Sequence, residues 1–241
     1  MSSNPLFDLV GKNTLITGAS GGFGLTLVER FLKSGQNVTA LGRNEDKLEL
    51  LSKKGATTVA LDLNKSDQVK QFSKSCPVFD NIILAHGVNG ARPMRMLSPD
   101  YSYNVIETNL LSTLDLMSNL LRSKKVNSPG RIVNISSVSA HMGALNSVAY
   151  AASKAGGEAA MNGLARDLMH KEITVNSIAP AAIETPLFLG HKSEILDEKL
   201  YPLGVGQTSD VANAALVLCL QGSNYITGET IILDGGATWL I

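Results

Sequence analysis

Tyr150 and Lys154 are the side chains in this sequence whose types and spacing best suit acid–base chemistry. They lie in Tyr150-Ala-Ala-Ser-Lys154, within an alanine-rich segment that predicts a helix from about Ala149 to His170. Residues four apart share a face of a helix, so the phenol and the ammonium can act on one site. A phenol has a pKa near ~10, and an adjacent cation favours phenolate and lowers that value. The pair therefore indicates proton exchange with a substrate, although the same spacing also arises by chance.

Two serines follow the apolar run that predicts the fifth strand. In an open parallel sheet, ligands bind beyond the carboxyl ends of the strands, so the Ser137 hydroxyl, next to Ser136, can hold a carbonyl oxygen there. A hydrolase, with Ser137 as nucleophile and His86 or His141 as base, is the alternative. No Gly-x-Ser-x-Gly sequence surrounds the serine, so carbonyl chemistry fits better.

A glycine-rich turn, Thr17-Gly-Ala-Ser-Gly-Gly-Phe-Gly24, follows the first predicted strand and precedes an amphipathic pattern typical of a helix. Glycines let the backbone turn tightly and approach a pyrophosphate, whose charge is attracted by the N–H groups at the start of the helix. The same glycines could simply allow the helix to pack closely on the strand. A nucleoside-triphosphate site fits less well, because no Gly-Lys-Ser/Thr follows the turn.

These residues require a scaffold, and the sequence predicts one of alternating strands and helices. Short apolar runs rich in β-branched residues alternate with amphipathic segments, which predicts βαβ units and a parallel sheet. We therefore predict an α/β protein: a single-domain Rossmann fold over residues 1–241, with a seven-stranded parallel sheet flanked by helices on both faces. The predicted strands are Asn13–Thr17, Asn37–Leu41, Thr57–Leu61, Asn81–Ala85, Arg131–Ile135, Thr174–Ile178 and Thr230–Leu233.

Local signals predict two helix ends and one loose segment. Gly35 can end the first helix in a left-handed conformation, and Thr208 or Ser209 could cap the last helix. The segment at about 186–203 mixes apolar residues with charges and is predicted to form a mobile substrate lid.

Composition excludes several classes of protein. Hydrophobic residues make up 44% of the chain, charged residues 17%, and the formal net charge is zero, which is typical of a globular protein and not of a nucleic-acid-binding surface. Cys76 and Cys219 are too far apart in sequence for a zinc-type spacing. Because Met1–Lys12 has no secretory pattern and no apolar run reaches membrane-spanning length, we expect a cytoplasmic protein without a metal, nucleic-acid or membrane partner.

Taken in order from Leu9 to Gly236, these motifs resemble those of the short-chain dehydrogenase/reductase family. The resemblance implies a catalytic tetrad of Asn109, Ser137, Tyr150 and Lys154. Tyr150 would be the general acid and base in hydride transfer between a nicotinamide and a carbonyl or secondary alcohol. Ser137 would orient the substrate oxygen, Lys154 would lower the pKa of Tyr150 and bind the nicotinamide ribose, and Asn109 would support a proton-relaying water.

The resemblance also implies where the cofactor binds. Asp62 resembles the family's adenine-contacting acid, and the segment from Pro180 to Thr185 resembles the one that holds the nicotinamide carboxamide. The implied cofactor contacts are Gly18, Ser20, Gly22, Phe23, Gly24, Arg43, Asp62, Leu63, Ala85, Gly87, Tyr150, Lys154, Pro180, Ile183 and Thr185.

The end of the second predicted strand bears on the choice between NADP(H) and NAD(H). An NAD-selective site places an acid here, which binds the ribose hydroxyls and repels a 2′-phosphate. Gly42 stands at that position and Arg43 follows it, so the sequence favours NADP(H); the alternative is that Arg43 merely faces solvent. Gly21 stands where many NADP-dependent relatives carry a second basic residue.

The sequence departs from the family's pattern at two places. Leu84-Ala85-His86-Gly87 replaces the common Asn-Asn-Ala-Gly, so the hydrogen bonds of those asparagine side chains are absent. Pro180-Ala181 replaces Pro-Gly and lacks the freedom of glycine at positive φ.

Within the family, the motifs resemble those of 3-oxoacyl carrier-protein reductases, which implies a 3-oxoacyl thioester as the first substrate to test. Arg131 and Lys171 fall near basic positions that some of those enzymes use for the carrier protein, or are plain surface charges. The resemblance further implies a homotetramer built on the two helices that carry Asn109 and Tyr150, with the final strand at another contact. A nucleotide-binding regulatory protein on the same scaffold is the main alternative. An epimerase or dehydratase fits less well, because those relatives usually carry a longer C-terminal substrate domain.

Overall fold

The computed structural model describes residues 5–185 and 201–239, and its centre is a parallel β-sheet. In that part of the chain the sheet has seven strands in the order β3-β2-β1-β4-β5-β6-β9, and every neighbouring pair is parallel. A separate parallel pair joins β7 and β8. The strands are β1 Asn13–Thr17, β2 Asn37–Gly42, β3 Thr57–Ala60, β4 Phe79–Leu84, β5 Val126–Ile135, β6 Ile173–Pro180, β7 Ile183–Glu184, β8 Gly206–Gln207 and β9 Thr230–Leu233.

Helices connect the strands and cover the sheet. They are α1 Gly22–Lys33, α2 Glu45–Lys53, α3 Ser66–Ser75, α4 Pro99–Ile106, α5 Ser112–Arg122, α6 Ser139–Met142, α7 Val148–Leu168 and α8 Thr208–Cys219, with a π-helical turn, Glu107–Leu111, joining α4 to α5. Short 3₁₀ segments occur at Pro5–Phe7, Met94–Met96, Met169–Lys171, Gln221–Ser223 and Ala237–Trp239.

The core lies in two layers, one on each face of the sheet. On one face, α1 and α8 pack their apolar sides on the strands, with Leu27, Phe31 and Val211 buried among them. On the other face, α3, α5 and α7 do the same, with Leu116 and Met161 in the buried layer. Burial on both faces explains the continuously apolar strands. The predicted Rossmann fold with its seven-stranded parallel sheet is therefore confirmed.

The order of the strands also fixes where a ligand can bind. From β1 the chain builds β2 and β3 on one side, and then returns to build β4, β5, β6 and β9 on the other side. The connections therefore diverge between β1 and β4, and ligands of such sheets bind in the crevice that opens there beyond the carboxyl ends of the strands.

Two local predictions about helix ends have different outcomes. Gly35 does end α1 in a left-handed conformation, with φ of +80°, and its N–H donates to the Leu32 carbonyl at 2.9 Å. The predicted cap of α8 by Thr208 or Ser209 is wrong. Gln207 precedes the helix, and the Asp210 carboxylate accepts from its N–H at 2.8 Å. The Thr208 hydroxyl instead contacts that of Thr26 at 2.8 Å, which joins α8 to α1.

The fifth strand differs most from its predicted range. It begins at Val126, before the Pro129-Gly130 pair that suggests a turn, because an irregular stretch lets Phe79 pair with Val126 and Asn81 pair with Arg131.

Most of the predicted lid, 186–200, lies outside the described residues. Within the described ranges no helix is both long and apolar enough to cross a membrane.

Candidate active site

The glycine-rich turn lies at the carboxyl end of β1, and its glycines are needed there. Gly18 has φ of +65°, and a Cβ on it would lie 2.6 Å from the His86 Cα. A Cβ on Gly24 would lie 2.1 Å from the Gly18 carbonyl oxygen, so no side chain fits at either position. A Cβ on Gly22 would lie 3.1 Å from Thr185 Cγ2, which places Thr185 directly against the turn, as expected if both contact one ligand.

The turn folds back onto the end of β2. The Ala19 N–H donates to the Leu41 carbonyl at 2.8 Å, and a Cβ on Gly42 would lie 2.7 Å from the Ser20 hydroxyl oxygen. Glycine at position 42 therefore leaves room for Ser20, where an acid would displace it. Arg43 follows at the end of the strand with its side chain exposed.

Lys47 is a candidate site residue that sequence reasoning missed. It lies in the first turn of α2, and its Nζ donates to the Ser20 carbonyl at 3.3 Å. A second cation thus lies beside the turn, supplied by α2 and not by position 21. The available signal was a lysine in the first helical turn, where acids are favoured, four residues after Arg43.

The loop after β3 completes this side of the site. The Leu61 N–H donates to the Gly42 carbonyl at 2.9 Å, so Asp62 and the buried Leu63 follow directly beside the end of β2. The Asp62 carboxylate accepts from the Asn64 N–H at 3.1 Å, and Asn64 Nδ2 reaches the Thr108 hydroxyl at 2.9 Å. The structure therefore brings the predicted adenine-side residues together.

Tyr150 and Ser137 meet at the end of β5. Burial raises the pKa of Tyr150, and a hydrogen bond with the Ser137 side chain opposes that rise. Ser137 Oγ also accepts from the Ser139 N–H at 3.2 Å, which fixes the hydroxyl at the start of α6. Ser137 and Tyr150 are therefore neighbours, and their joint action on a substrate oxygen stays a prediction.

Lys154 lies one helical turn beyond Tyr150 on α7. Its Nζ donates to the Ile135 carbonyl at 2.8 Å and lies 5.8 Å from the centre of the Tyr150 ring. Burial lowers the pKa of Lys154 to about 8, and the nearby Glu158 carboxylate opposes that shift. The expected lowering of the Tyr150 pKa by Lys154 is not what the chain alone shows, because burial has the larger effect on the phenol and raises its pKa.

Asn109 lies in the π-helical turn between α4 and α5, and its side chain holds the loop after β4. Its Oδ1 accepts from the Val88 N–H at 2.7 Å, and its Nδ2 donates to the Val88 carbonyl at 3.0 Å and to Ser153 Oγ at 2.9 Å. A Cβ on Gly87 would lie 3.0 Å from Asn109 Oδ1 and 3.6 Å from Lys154 Nζ. Gly87, Asn109 and Lys154 are thus neighbours, as predicted.

The two departures from the family's pattern are accommodated differently. Ala85 donates its N–H to Thr17 Oγ1 at 3.0 Å, and the His86 ring makes contacts that the sequence did not predict. Ala181, which follows Pro180, is not among the non-glycine residues with positive φ in the described chain, so the freedom of glycine is not required there. The Ala181 N–H donates to the Leu233 carbonyl at 3.0 Å, and the chain then enters β7 at Ile183.

Glu158 is a second residue that sequence reasoning missed. It is buried on α7, and its carboxylate accepts a hydrogen bond from Ser136 Oγ and lies 3.1 Å from His141 Nε2. Its contacts explain why His141 is not a free base beside Ser137. A glutamate four residues after Lys154 was the available signal.

The basic residues suggested for carrier-protein contact differ in exposure. Arg131 is buried, and its Nη1 donates to the Gly130 carbonyl at 2.9 Å, so the expectation of a surface cation at this position is wrong. Lys171 is exposed.

The glycine-rich turn, the start of α1 and the polar residues around them fit a dinucleotide. The glycines let the turn pack tightly on the loop after β4, and none of the described side chains caps the start of α1, so its first N–H groups are left without a side-chain acceptor, as a bound phosphate requires. Arg43 and Lys47 supply positive charge at one end, and Ser137 and Tyr150 supply hydroxyls at the other.

Comparison with known proteins agrees with this geometry. A family model for short chain dehydrogenases matches residues 12–194. The 3-oxoacyl-[acyl-carrier-protein] reductase FabG of Chlamydia pneumoniae is 33% identical over 244 residues, covering 96% of this chain and 98% of the relative. The reductase of the same name from Rickettsia felis is 33% identical over 238 residues, covering 96% and 98%.

A solved structure gives the same result for the fold. The short-chain dehydrogenase/reductase titled glucose/ribitol dehydrogenase from Brucella melitensis superposes with a TM-score of 0.89 at 26% identity, covering 96% of this chain and 98% of that chain. On the match of the family model and the near full-length relatives, the chain belongs to the short-chain dehydrogenase/reductase family of oxidoreductases.

Proposed function

We propose that this protein is an NADP(H)-dependent reductase of 3-oxoacyl thioesters, with Asn109, Ser137, Tyr150 and Lys154 as its catalytic residues. The observation that carries the proposal is the placement of the Ser137 side chain beside Tyr150 at the carboxyl end of β5, with Lys154 one turn along α7 and its Nζ held by the Ile135 carbonyl at 2.8 Å. Two neighbouring hydroxyls whose hydrogens both turn toward one carbonyl oxygen form a donor pair for it.

The roles of the chain's own residues follow from their environments. A bound nicotinamide supplies the hydride that adds to the carbonyl carbon. Ser137 holds the carbonyl oxygen and Tyr150 gives it a proton, because burial raises the pKa of the phenol and keeps it protonated at neutral pH. When the charged Lys154 lies beside the phenolate that remains, it stabilises that anion until a proton returns.

The preference for NADP(H) is supported by the cations beside the glycine turn. Lys47 on α2 contacts the Ser20 carbonyl, Arg43 directly follows Gly42, which lies against Ser20, and no acid occupies position 42. A 2′-phosphate would find two cations there, whereas the ribose hydroxyls of NAD(H) would find no carboxylate acceptor from β2. The predicted contacts Gly18, Gly22, Phe23 and Gly24 would bind the pyrophosphate.

The substrate class is supported by the relatives. Those from Chlamydia and Rickettsia are named 3-oxoacyl-[acyl-carrier-protein] reductases and cover nearly the whole chain. We propose the same class of carbonyl here, a ketone at the β-position of an acyl thioester.

We further propose that residues 1–241 form one domain, that 186–203 form its substrate lid, and that the protein is a cytoplasmic homotetramer. The assembly is supported by a face of small residues on α7: Ala152, Ala155, Ala159 and Gly163 are exposed. Beside α7, Leu111 of the π-helical turn and Leu114 of α5 are also exposed, at 52% and 41%. Such a face lets a second copy of the helix approach closely.

The test is the loss of NADPH absorbance with a panel of 3-oxoacyl thioesters, simple ketones and sugars. We expect turnover with 3-oxoacyl thioesters at least ~10-fold more efficient than with the other carbonyls. Turnover of another carbonyl class alone would overturn the substrate assignment. Binding of NADPH without turnover of any carbonyl would instead favour the nucleotide-binding regulatory protein.

A further inference from the structure

His86 stands in this chain at a place where the family's pattern has alanine, and its ring takes part in a cage of hydroxyl groups. Its Nδ1 lies 2.7 Å from Thr17 Oγ1, and its Nε2 lies 2.9 Å from Ser112 Oγ and 3.1 Å from Thr113 Oγ1. These partners belong to two segments, the end of β1 and the start of α5, so the His86 ring ties the loop after β4 to both.

The other hydrogen bonds of the hydroxyls fix the proton on the ring. Ser112 Oγ donates to the Thr108 carbonyl at 2.8 Å, so it accepts from Nε2–H. Thr17 Oγ1 accepts from the Ala85 N–H at 3.0 Å, and its own hydrogen has two acceptors within reach, His86 Nδ1 at 2.7 Å and the Ile83 carbonyl at 3.4 Å, of which the ring nitrogen is the nearer. The ring is therefore neutral with its proton on Nε2. Burial and the positive charges of Lys154 and Arg43 lower the pKa of His86 to about 3, which agrees with that assignment.

The loop after β4 is held a second time by Asn109. His86 links the loop after β4 to Ser112 and Thr113. In the same loop, the Asn109 side-chain amide accepts from the Val88 N–H at 2.7 Å and donates to the Val88 carbonyl at 3.0 Å. Thr113 Oγ1 also lies 3.5 Å from the Asn109 carbonyl oxygen. One link alone would leave the loop free to pivot on the π-helical turn, whereas two links fix the orientation of Asn109 and of Gly87 beside Lys154.

We propose that His86 is a positioning residue, which holds the loop after β4 against the π-helical turn and thereby orients Asn109 toward Lys154. It replaces, by a different route, the side-chain hydrogen bonds that Leu84 and Ala85 cannot make. The inference on turnover rests on the proposed function, whereas the inference on Asn109 and Val88 does not.

The first test needs no turnover and follows the exchange rate of the Val88 amide hydrogen. In His86→Ala we expect this amide to exchange at least ~10-fold faster under native conditions, because its bond to Asn109 Oδ1 opens more often. The control is Asn81→Ala, near the start of the same strand, where Asn81 Nδ2 donates to Thr14 Oγ1 at 3.1 Å and to Gln36 Oε1 at 3.0 Å. It should lower the unfolding temperature without exposing Val88. Unchanged exchange in His86→Ala, or equal exchange in both variants, would overturn the proposal.

The second test is a double-mutant cycle on turnover. We expect His86→Ala to lower kcat by about 10- to 100-fold, as small misplacements of a catalytic group do, with little change in the KM for NADPH. In an Asn109→Ala background the same change should lower kcat by less than about twofold, because the residue it positions is gone. An equal loss in both backgrounds would show that His86 does not act through Asn109.

Thr113→Val keeps the shape of the cage and the histidine, so it tests the same link if His86→Ala does not fold. We expect Thr113→Val to lower kcat and to speed exchange of the Val88 amide hydrogen, as His86→Ala does. A normal kcat and normal exchange would overturn the proposal. A wild-type protein that turns over no carbonyl, with Val88 exchange as expected, would overturn the proposed function and leave the positioning role of His86 intact.

Discussion

The Lys154 ammonium donates a hydrogen bond to the Ile135 carbonyl at 2.8 Å, whereas the centre of the Tyr150 ring lies 5.8 Å from it. The lysine is thus anchored to the end of β5 and not to the phenol. In the chain alone, the phenol has a raised pKa and the ammonium a lowered one, both because of burial. In the reductive direction Tyr150 must be neutral to donate its proton, and Lys154 must be charged to stabilise the phenolate that remains. Both conditions hold at neutral pH.

Replacing Tyr150 by phenylalanine tests the proton donor. We expect Tyr150→Phe to lower kcat by ~100-fold or more, the usual loss when acid–base catalysis is removed, while NADPH still binds. Tyr225→Phe is the matched control, because that phenol is 99% exposed. Stopped-flow absorbance and fluorescence titration measure the two effects, and near-normal turnover by Tyr150→Phe would contradict the assignment.

Glu158 should set the pH range over which Lys154 stays charged. Its carboxylate raises the pKa of Lys154 against the larger effect of burial, which lowers that pKa to about 8. Glu158→Gln removes the opposing charge, so the pKa of Lys154 should fall further. The alkaline fall in kcat should then occur at lower pH than in the wild type, as measured by pH–rate profiles.

The exposed Glu49→Gln provides the control for loss of one carboxylate, since Glu49 pairs with Lys53 on the surface of α2. A profile of Glu158→Gln that coincides with that of the wild type would show that the carboxylate does not control Lys154.

His86 predicts how stability depends on pH. The unfolded chain binds a proton at this residue below about pH 6.5, whereas the folded chain does so only near pH 3. Between those values the unfolded state binds more protons, so the free energy of unfolding falls as the pH falls through this window. Denaturant titrations from pH 7 to pH 4 measure the slope.

In His86→Asn this part of the slope should disappear, although the variant should be less stable at pH 7 by about 1–3 kcal/mol because buried hydroxyls lose their partner. His170→Asn, at an exposed position, is the control. Equal slopes in the wild type and His86→Asn would contradict the buried, neutral state of the ring.

Much of this fold could be predicted because the signals are local and repeated. The run Asn13–Thr17 and the run Thr230–Leu233 are strands with the predicted bounds, since each is apolar and flanked by polar residues or glycine. The β7–β8 pair could not be predicted, because two-residue strands carry no periodicity. The π-helical turn around Asn109 was also invisible, since it continues a helix without a break in pattern.

The candidate site was predictable where chemistry lies in residue type, and not where it depends on tertiary surroundings. Tyr150 and Lys154 were found from their spacing, but the direction of the Tyr150 pKa depends on burial that only folding supplies. Lys47 was missed as a site residue, and His86 was considered only as a hydrolase base, because their partners, Ser20 and Ser112, are 27 and 26 positions away in sequence.

Assembly can be tested at the small-residue face of α7. Ala159 is exposed there, and an arginine would place a charge and a long side chain between two closely packed helices. By light scattering at micromolar concentration, we expect the wild type to have the mass of four chains and Ala159→Arg to have a smaller mass. Gln71→Arg, at an exposed position on α3, should leave the mass unchanged. A monomeric wild type would refute the proposed tetramer.

Cofactor choice is the sharpest test of the cations beside the glycine turn. Arg43 follows β2 directly after Gly42, and Lys47 Nζ is held 3.3 Å from the Ser20 carbonyl oxygen, so both cations belong to the proposed 2′-phosphate site. We expect NADPH to bind more tightly than NADH, and Arg43→Ala and Lys47→Gln each to weaken NADPH by about 10-fold or more, the loss expected for a charge-assisted hydrogen bond. NADH affinity should change little in either variant, because its ribose lacks the phosphate. Lys53→Gln, at the far end of α2, should change neither affinity if the effect is local and not a general change in surface charge. Fluorescence titration with both cofactors measures all four proteins. Equal binding of NADPH and NADH by the wild type, or equal weakening of both by Arg43→Ala, would show that these cations do not select the 2′-phosphate.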